Sequence, residues 1–223
     1  RSHTGKQKFI RFKTHFHGWH DHMTAGYTSH FEGGATTGVL DGVADNVILV
    51  SPQDISEVEF VLRDNEDIAA VIVEPTGASF GMVPMSPEFL QKIRDLTTEK
   101  NVIFIFDEVV TGFRCSPGGA QQAYNIEPDL TTLAKILAGG LPGGAVAGRK
   151  DILDQLDFDR MEELGREKVG HPGTFNANPV SAAAGIATLK IIETTDACER
   201  ANNSATLLRA RFNEVLEREN VAW

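Results

Sequence analysis

The sequence predicts an α/β fold, a mostly parallel sheet flanked by helices. Three observations point there. Six short apolar or β-branched runs, at 8–12, 47–50, 68–73, 102–106, 129–134 and 144–148, are separated by longer segments of helical pattern. The runs are continuous rather than alternating, as expected of strands covered on both faces. Strand and helix also follow one another in turn, which is how a parallel sheet is written in sequence.

Taken in order, Lys8-Phe9-Ile10-Arg11-Phe12 opens the series within a few residues of Arg1. Helices are expected at about 54–64, 86–100, 119–124 and 149–156. The second has a clear start, with Ser86 as N-cap, Pro87 in the first turn and then Glu88. A long helical stretch begins at Asn178-Pro179 and runs to about Lys190, and another covers about 196–219. No internal repeat or low-complexity tract interrupts the pattern.

The chain has 223 residues, enough for one large domain or somewhat more. Its net charge of −10 argues against nucleic acid and anionic lipid as partners, since both call for clustered Lys and Arg. Cys115 and Cys198 stand far apart and outside any C-x-x-C pair, so no disulfide framework is expected and a reducing cytoplasm is the natural compartment. No apolar run reaches membrane-span length and no signal peptide opens the chain. It starts at Arg1 and stops at Trp223 directly after a helical pattern. The expectation is a fragment, with 1–223 as a central large domain and 196–223 leading toward a further small domain; a processed mature protein is the alternative.

In open α/β sheets, ligands sit at the carboxyl ends of the strands. Asp107 and Glu108 follow the 102–106 run, and Lys135 follows 129–134 ahead of the Gly-rich 139–144 segment. Glu74-Pro75 follows 68–73, and Thr14-His15-Phe16-His17-Gly18 follows 8–12. Singly, Asp107 reads as a helix cap, Lys135 as a solvated surface lysine, Glu74-Pro75 as a turn and Phe16 as core. Together they suit pyridoxal phosphate. That cofactor needs a lysine to hold its aldehyde as an imine, a carboxylate to keep its ring nitrogen protonated, an apolar wall for the ring and backbone amides for the phosphate. Lys135, Asp107 and Phe16 can fill the first three tasks.

Several runs carry a resemblance that covers nearly the whole chain. They are Val71-Ile72-Val73-Glu74-Pro75, Ile105-Phe106-Asp107-Glu108-Val109-Val110-Thr111-Gly112-Phe113-Arg114, Pro128-Asp129-Leu130-Thr131-Thr132-Leu133-Ala134-Lys135 and Gly173-Thr174-Phe175-Asn176-Ala177-Asn178-Pro179. The chain resembles class III pyridoxal-phosphate-dependent aminotransferases, within them most of all the glutamate-1-semialdehyde 2,1-aminomutases and related aminotransferases. The resemblance implies the large domain of a fold type I enzyme. It implies Lys135 as the imine lysine and Asp107 as the partner of the ring nitrogen. Val109 and the Phe16 of a Phe16-His17-Gly18 triplet would lie on the two ring faces, with His17 also at the cofactor. Ser79 would face the phenolic oxygen and Glu74 the substrate. Thr174 would reach the phosphate held by a neighbouring subunit, which implies a homodimer with shared sites. The family's phosphate loop belongs upstream of Arg1. Substrates would be small amino acids, keto acids or a semialdehyde. Segment 25–40, rich in glycine, does not resemble the aminomutase lid, so an intermolecular aminotransferase is favoured over internal amino transfer.

Two other readings compete. His15, His17, His20, Asp21 and His22 superficially resemble the metal-binding run of metallo-β-lactamase-like hydrolases, but the gap between His17 and Asp21 is too long. A non-catalytic dimerising fragment is the second. The 139–144 glycines lack the order of a nucleotide loop.

Overall fold

The computed structural model describes residues 1–77 and 85–221. Six strands form one sheet: β1 (Lys8–Phe12), β2 (Val47–Val50), β3 (Ile68–Val73), β4 (Ile103–Asp107), β5 (Leu130–Leu133) and β6 (Ala145–Gly148). Their order is β2-β1-β3-β4-β5-β6. The first five are mutually parallel and β6 returns antiparallel along β5. Structured segments α1 (Asp41–Ala44), α2 (Ile55–Asp64), α3 (Pro87–Glu99), α4 (Gly119–Tyr124), α5 (Lys150–Leu153), α6 (Phe158–Glu163), α7 (Pro179–Thr194) and α8 (Ala197–Arg218) lie between and after the strands.

Local chemistry sets the helix starts. Ser86 accepts from the Phe89 amide with Pro87 in the first turn, and Asp54 accepts from the Ser56 amide. Asn178 takes both the Val180 and Ser181 amides at the head of α7. Asn125 ends α4 in the left-handed conformation that asparagine tolerates. Helices α2 and α3 then bury residues at helical spacing, Val58 and Leu62 from one, Leu90, Ile93 and Thr97 from the other. These pack on Ile10, Phe12, Val71, Val73, Phe104 and Phe106, all fully or almost fully buried, to make the core.

The sequence expectation and the structure differ in three places. The short helices α1 and α6 are not anticipated, because four to six residues are too few for a 3.6-residue period to show. The 149–156 helix resolves into α5 and a 3-10 turn, Asp154–Leu156. The second face of the sheet is covered unevenly: Phe9, Arg11 and Ile103 are buried on it, whereas Ala70, Ile72 and Ile105 are half-buried and β6 is exposed. A cleft of about 740 Å³ lies there among Ile105, Leu130, Ile152, Leu156 and Val169. Among the described residues no helix is long and apolar enough to cross a membrane.

At the amino end of β5 the buried Asp129 ties three pieces together. Its carboxylate accepts from the Phe104 amide at 2.7 Å, from Arg94 at 3.1 Å and from Arg149 at 2.9 Å. Asp129→Ala leaves the buried Phe104 N–H without a partner and removes the carboxylate that Arg94 and Arg149 share, while Arg149 keeps Asp151. We expect a loss of about 2–4 kcal/mol, read as a lower denaturant midpoint with an unchanged slope. A loss below about 1 kcal/mol would show that water replaces the carboxylate without cost.

Candidate active site

Strands β1, β3, β4 and β5 are consecutive neighbours and parallel, so their carboxyl ends form one edge. The residues singled out in sequence stand at that edge because each follows its strand directly. Asp107 closes β4 and is buried. Its Oδ1 accepts from the Val109 amide at 3.1 Å and from the Thr132 hydroxyl at 3.1 Å. Its Oδ2 lies 2.7 Å from Nδ1 of His17. The acid is thus held from its own strand, from β5 and from the loop after β1. A carboxylate offers about four lone-pair positions, so one acceptor position remains.

His17 is the residue that the loop after β1 delivers. Its side chain is 1% exposed, and its Nε2 is buried without a hydrogen-bond partner among the described residues. Buried polar atoms are almost always partnered, so an orphaned ring nitrogen beside a buried carboxylate marks a place for another group.

The loop that carries Phe16 and His17 is anchored from below. Arg11 sits in the middle of β1, wholly buried. It donates to the carbonyls of Met23 and His15. Burial pulls its pKa down to about 10, opposed by the Glu74 carboxylate. Glu74 is also buried; its carboxylate accepts from the Phe16 amide at 3.2 Å, and its own amide donates to Nδ1 of His15 at 3.1 Å. Glu74 therefore holds the backbone of the aromatic residue. The Phe16 ring is left 37% exposed and leans on Tyr27, with centroids 4.9 Å apart.

Past the acid, Glu108 turns inward. It is 1% exposed and accepts from the Thr111 hydroxyl, the amides of Ala120 and Gln121 and the Gln121 side chain. This fixes the first turn of α4 against the end of β4. Gly119, at φ +71, is required: a Cβ there would stand 2.2 Å from a Glu108 oxygen. Val109 follows, partly buried.

Lys135 is exposed and opens a 3-10 turn, Lys135–Ala138, from a left-handed φ of +47. A non-glycine residue in that region is strained, and such strain clusters at functional positions. No ion pair or hydrogen bond engages its ammonium among the described residues. Thr174 is exposed in the turn ahead of α7, with no contact to the Asp107 cluster within this chain. Ser79 lies outside the described residues. The histidine run divides: His15 and His17 face inward, whereas His20 and His22 stack together on the surface. Among the described residues no three His, Cys, Asp or Glu side chains are placed to share a metal ion. The sequence pattern assigned no role to Arg11 or Thr132, and placed Glu108 only after the 102–106 run and His15 only within the histidine run. A visible signal existed for the first, a charge inside an otherwise apolar strand.

The profile of the family described as aminotransferase class-III matches residues 1–222. A glutamate-1-semialdehyde 2,1-aminomutase from Sulfolobus acidocaldarius is 38% identical over 222 residues, covering 98% of this chain and 51% of the relative. An omega-transaminase from Sphaerobacter thermophilus is 32% identical and superposes with a TM-score of 0.86, over 98% of this chain and 51% of that one. A transaminase with PLP bound is 30% identical with a TM-score of 0.88, over 100% and 52%. The chain spans about half the length of the curated relatives it matches.

His15 gives a pH signature. Burial, with help from His17 and Arg11, lowers its pKa from 6.5 to about 3. Between those values the unfolded chain takes up a proton that the native state refuses. Stability therefore falls as pH drops from 6.5 toward 3, by up to ~1.4 kcal/mol per pH unit from this one group. We expect His15→Gln to flatten the dependence of the urea midpoint between pH 7 and pH 5. Identical slopes in both proteins would exclude this role.

Proposed function

Because the chain belongs to the class-III aminotransferases, we propose that the protein carrying it is a pyridoxal-phosphate-dependent enzyme that transfers amino groups. Lys135 holds the cofactor and Asp107 supports its ring nitrogen. The observation that carries this reading is the environment of Asp107: a buried carboxylate with three donors and one acceptor position left, next to a buried ring nitrogen of His17 that lacks a partner. A cationic ring N–H fits that position. When bound, pyridoxal phosphate supplies an aldehyde that condenses with amines and a protonated ring that accepts electrons from the adjoining carbon.

The chain's own residues do the rest. Asp107, fixed by Val109, Thr132 and His17, holds a proton at the ring nitrogen and orients the ring. His17 sets the direction of that carboxylate. Val109 and Phe16 supply apolar surface for the two ring faces. Lys135 would hold the cofactor through Nζ, and the same nitrogen, when free, would move the proton on the substrate carbon. Glu74 supports the Phe16 wall through its amide, and from there borders the substrate side. Ser79, outside the described residues, is assigned to the phenolic oxygen by the family resemblance alone. Thr174, exposed in this chain, serves the phosphate of a second copy, so the enzyme is a homodimer with shared sites. The two free cysteines support a reducing, cytoplasmic setting.

The reaction we favour is transamination between a small amino acid and a keto acid or aldehyde. The two transaminase superpositions at TM-scores of 0.86 and 0.88 support it, as does a 25–40 segment unlike an aminomutase lid. The 38% identity to the Sulfolobus aminomutase favours a second reading, internal amino transfer on glutamate 1-semialdehyde.

Borohydride reduction of the complete protein followed by peptide mapping should place the label on Lys135; a label on another lysine refutes the assignment. Asp107→Ala should lower kcat/KM by on the order of 10²–10³-fold, the scale for removing one electrostatic group from a transition state. Assays with glutamate 1-semialdehyde, and with α- and β-amino acid donors paired with a keto acid, separate the two reactions. Turnover should require an acceptor. Efficient isomerisation without one would establish the second reading instead.

A further inference from the structure

We infer that helix α7 is the positioning element for Lys135, and that Gly185 is the residue through which it acts. The inference deepens the proposed function and rests on Lys135 being the cofactor lysine.

Lys135 begins a tight turn in a strained backbone region, φ +47, and the turn leaves through Gly139 at φ +63. Such a geometry persists only where the surroundings over-determine it. Here the surroundings are one stripe of α7. A Cβ added at Gly185 would lie 2.6 Å from the Leu137 carbonyl oxygen. A Cβ at Gly139 would lie 2.6 Å from the Ala184 carbonyl oxygen and 2.6 Å from the Thr188 hydroxyl. The Ser181 hydroxyl donates to the Pro142 carbonyl at 2.6 Å. Ser181, Ala184, Gly185 and Thr188 recur at helical spacing, i, i+3, i+4 and i+7, so they share one face. They are half-buried or buried, while Ala182, Ala183, Ile186 and Ala187 between them are exposed.

At Gly185 the helix thus meets the turn backbone to backbone, the nearest atoms being those of Leu137 and Ala138 with no side chain among them that could yield. Gly185 touches neither cofactor nor substrate. It fixes the peptide two residues beyond Lys135, and through that peptide the origin of the lysine side chain. An ordinary helix glycine would behave in the opposite way. Alanine is the better helix former, so Gly→Ala in an unconstrained helix stabilises it. The sign of the effect therefore separates the two cases.

The test uses the complete, cofactor-loaded protein carrying this chain, as wild type, Gly185→Ala and Ser181→Ala. Three quantities are read: the pH midpoint of the visible absorbance of the lysine-linked cofactor, kcat and KM separately, and the thermal midpoint of the cofactor-free protein. In Gly185→Ala the absorbance midpoint should move by about half a pH unit or more. Its kcat should fall on the order of 10- to 100-fold with KM little changed, the scale of a small misplacement of a reacting group. Ser181→Ala should move both in the same direction by less. Wild-type absorbance and kcat in Gly185→Ala, with a raised thermal midpoint, would overturn the inference. If Gly185→Ala does not accumulate folded, Ser181→Ala decides: an unchanged absorbance midpoint and kcat overturn it. A wild type that places no borohydride label on Lys135 overturns the reading of the lysine itself, and the inference with it.

Discussion

The satisfaction of one buried carboxylate organises this molecule. An ionised acid taken out of water must recover its lost hydration from fixed donors, or the site does not hold together. Asp107 recovers it from an amide two residues on, a hydroxyl of β5 and a ring nitrogen from the loop after β1. Each donor is itself secured. Thr132 is held by the parallel pairing of β4 with β5. His17 is held by the loop that Arg11 and Glu74 pin from within the sheet. Remove the acid and three separate segments lose their common point.

Behind it lies a second polar layer of unusual composition. Arg11 within β1, His15 in the loop after it and Glu74 just past β3 are all buried. The guanidinium holds carbonyls, the carboxylate holds an amide, and the imidazole, kept neutral by burial, accepts an amide. These contacts end on the backbone of 15–16, of Met23 or of Glu74, so the layer converts side-chain charge into loop geometry.

Much of this was legible in the sequence. The continuous apolar runs located all six strands, and the rule that ligands gather at carboxyl strand ends drew attention to Asp107, Lys135, Glu74 and Phe16. What escaped reading is what a linear pattern cannot express. The direction of β6 depends on a pairing, not on the residues Ala145–Gly148 themselves. Helices α1 and α6, at four and six residues, are too short for a 3.6-residue period to show. Glu108 looks like a second exposed acid beside Asp107 until the first turn of α4 is seen to close over it. Gly185 looks like a weak point in a helix until the Leu137 carbonyl is placed against it.

The hydrogen bond between His17 and Asp107 joins residues 90 positions apart. Contacts of that separation form late, because the entropy of closing so large a loop must be offset by pairing already in place. β1 reaches β4 only through β3, so two parallel pairings must be complete before the acid meets its histidine. The buried Asp107–His17 pair is consequently absent from partly folded chains that already contain native helices and strands. A newly made chain completes it only when its longest-range architecture has closed, so assembly of this pair is timed by topology rather than by local structure.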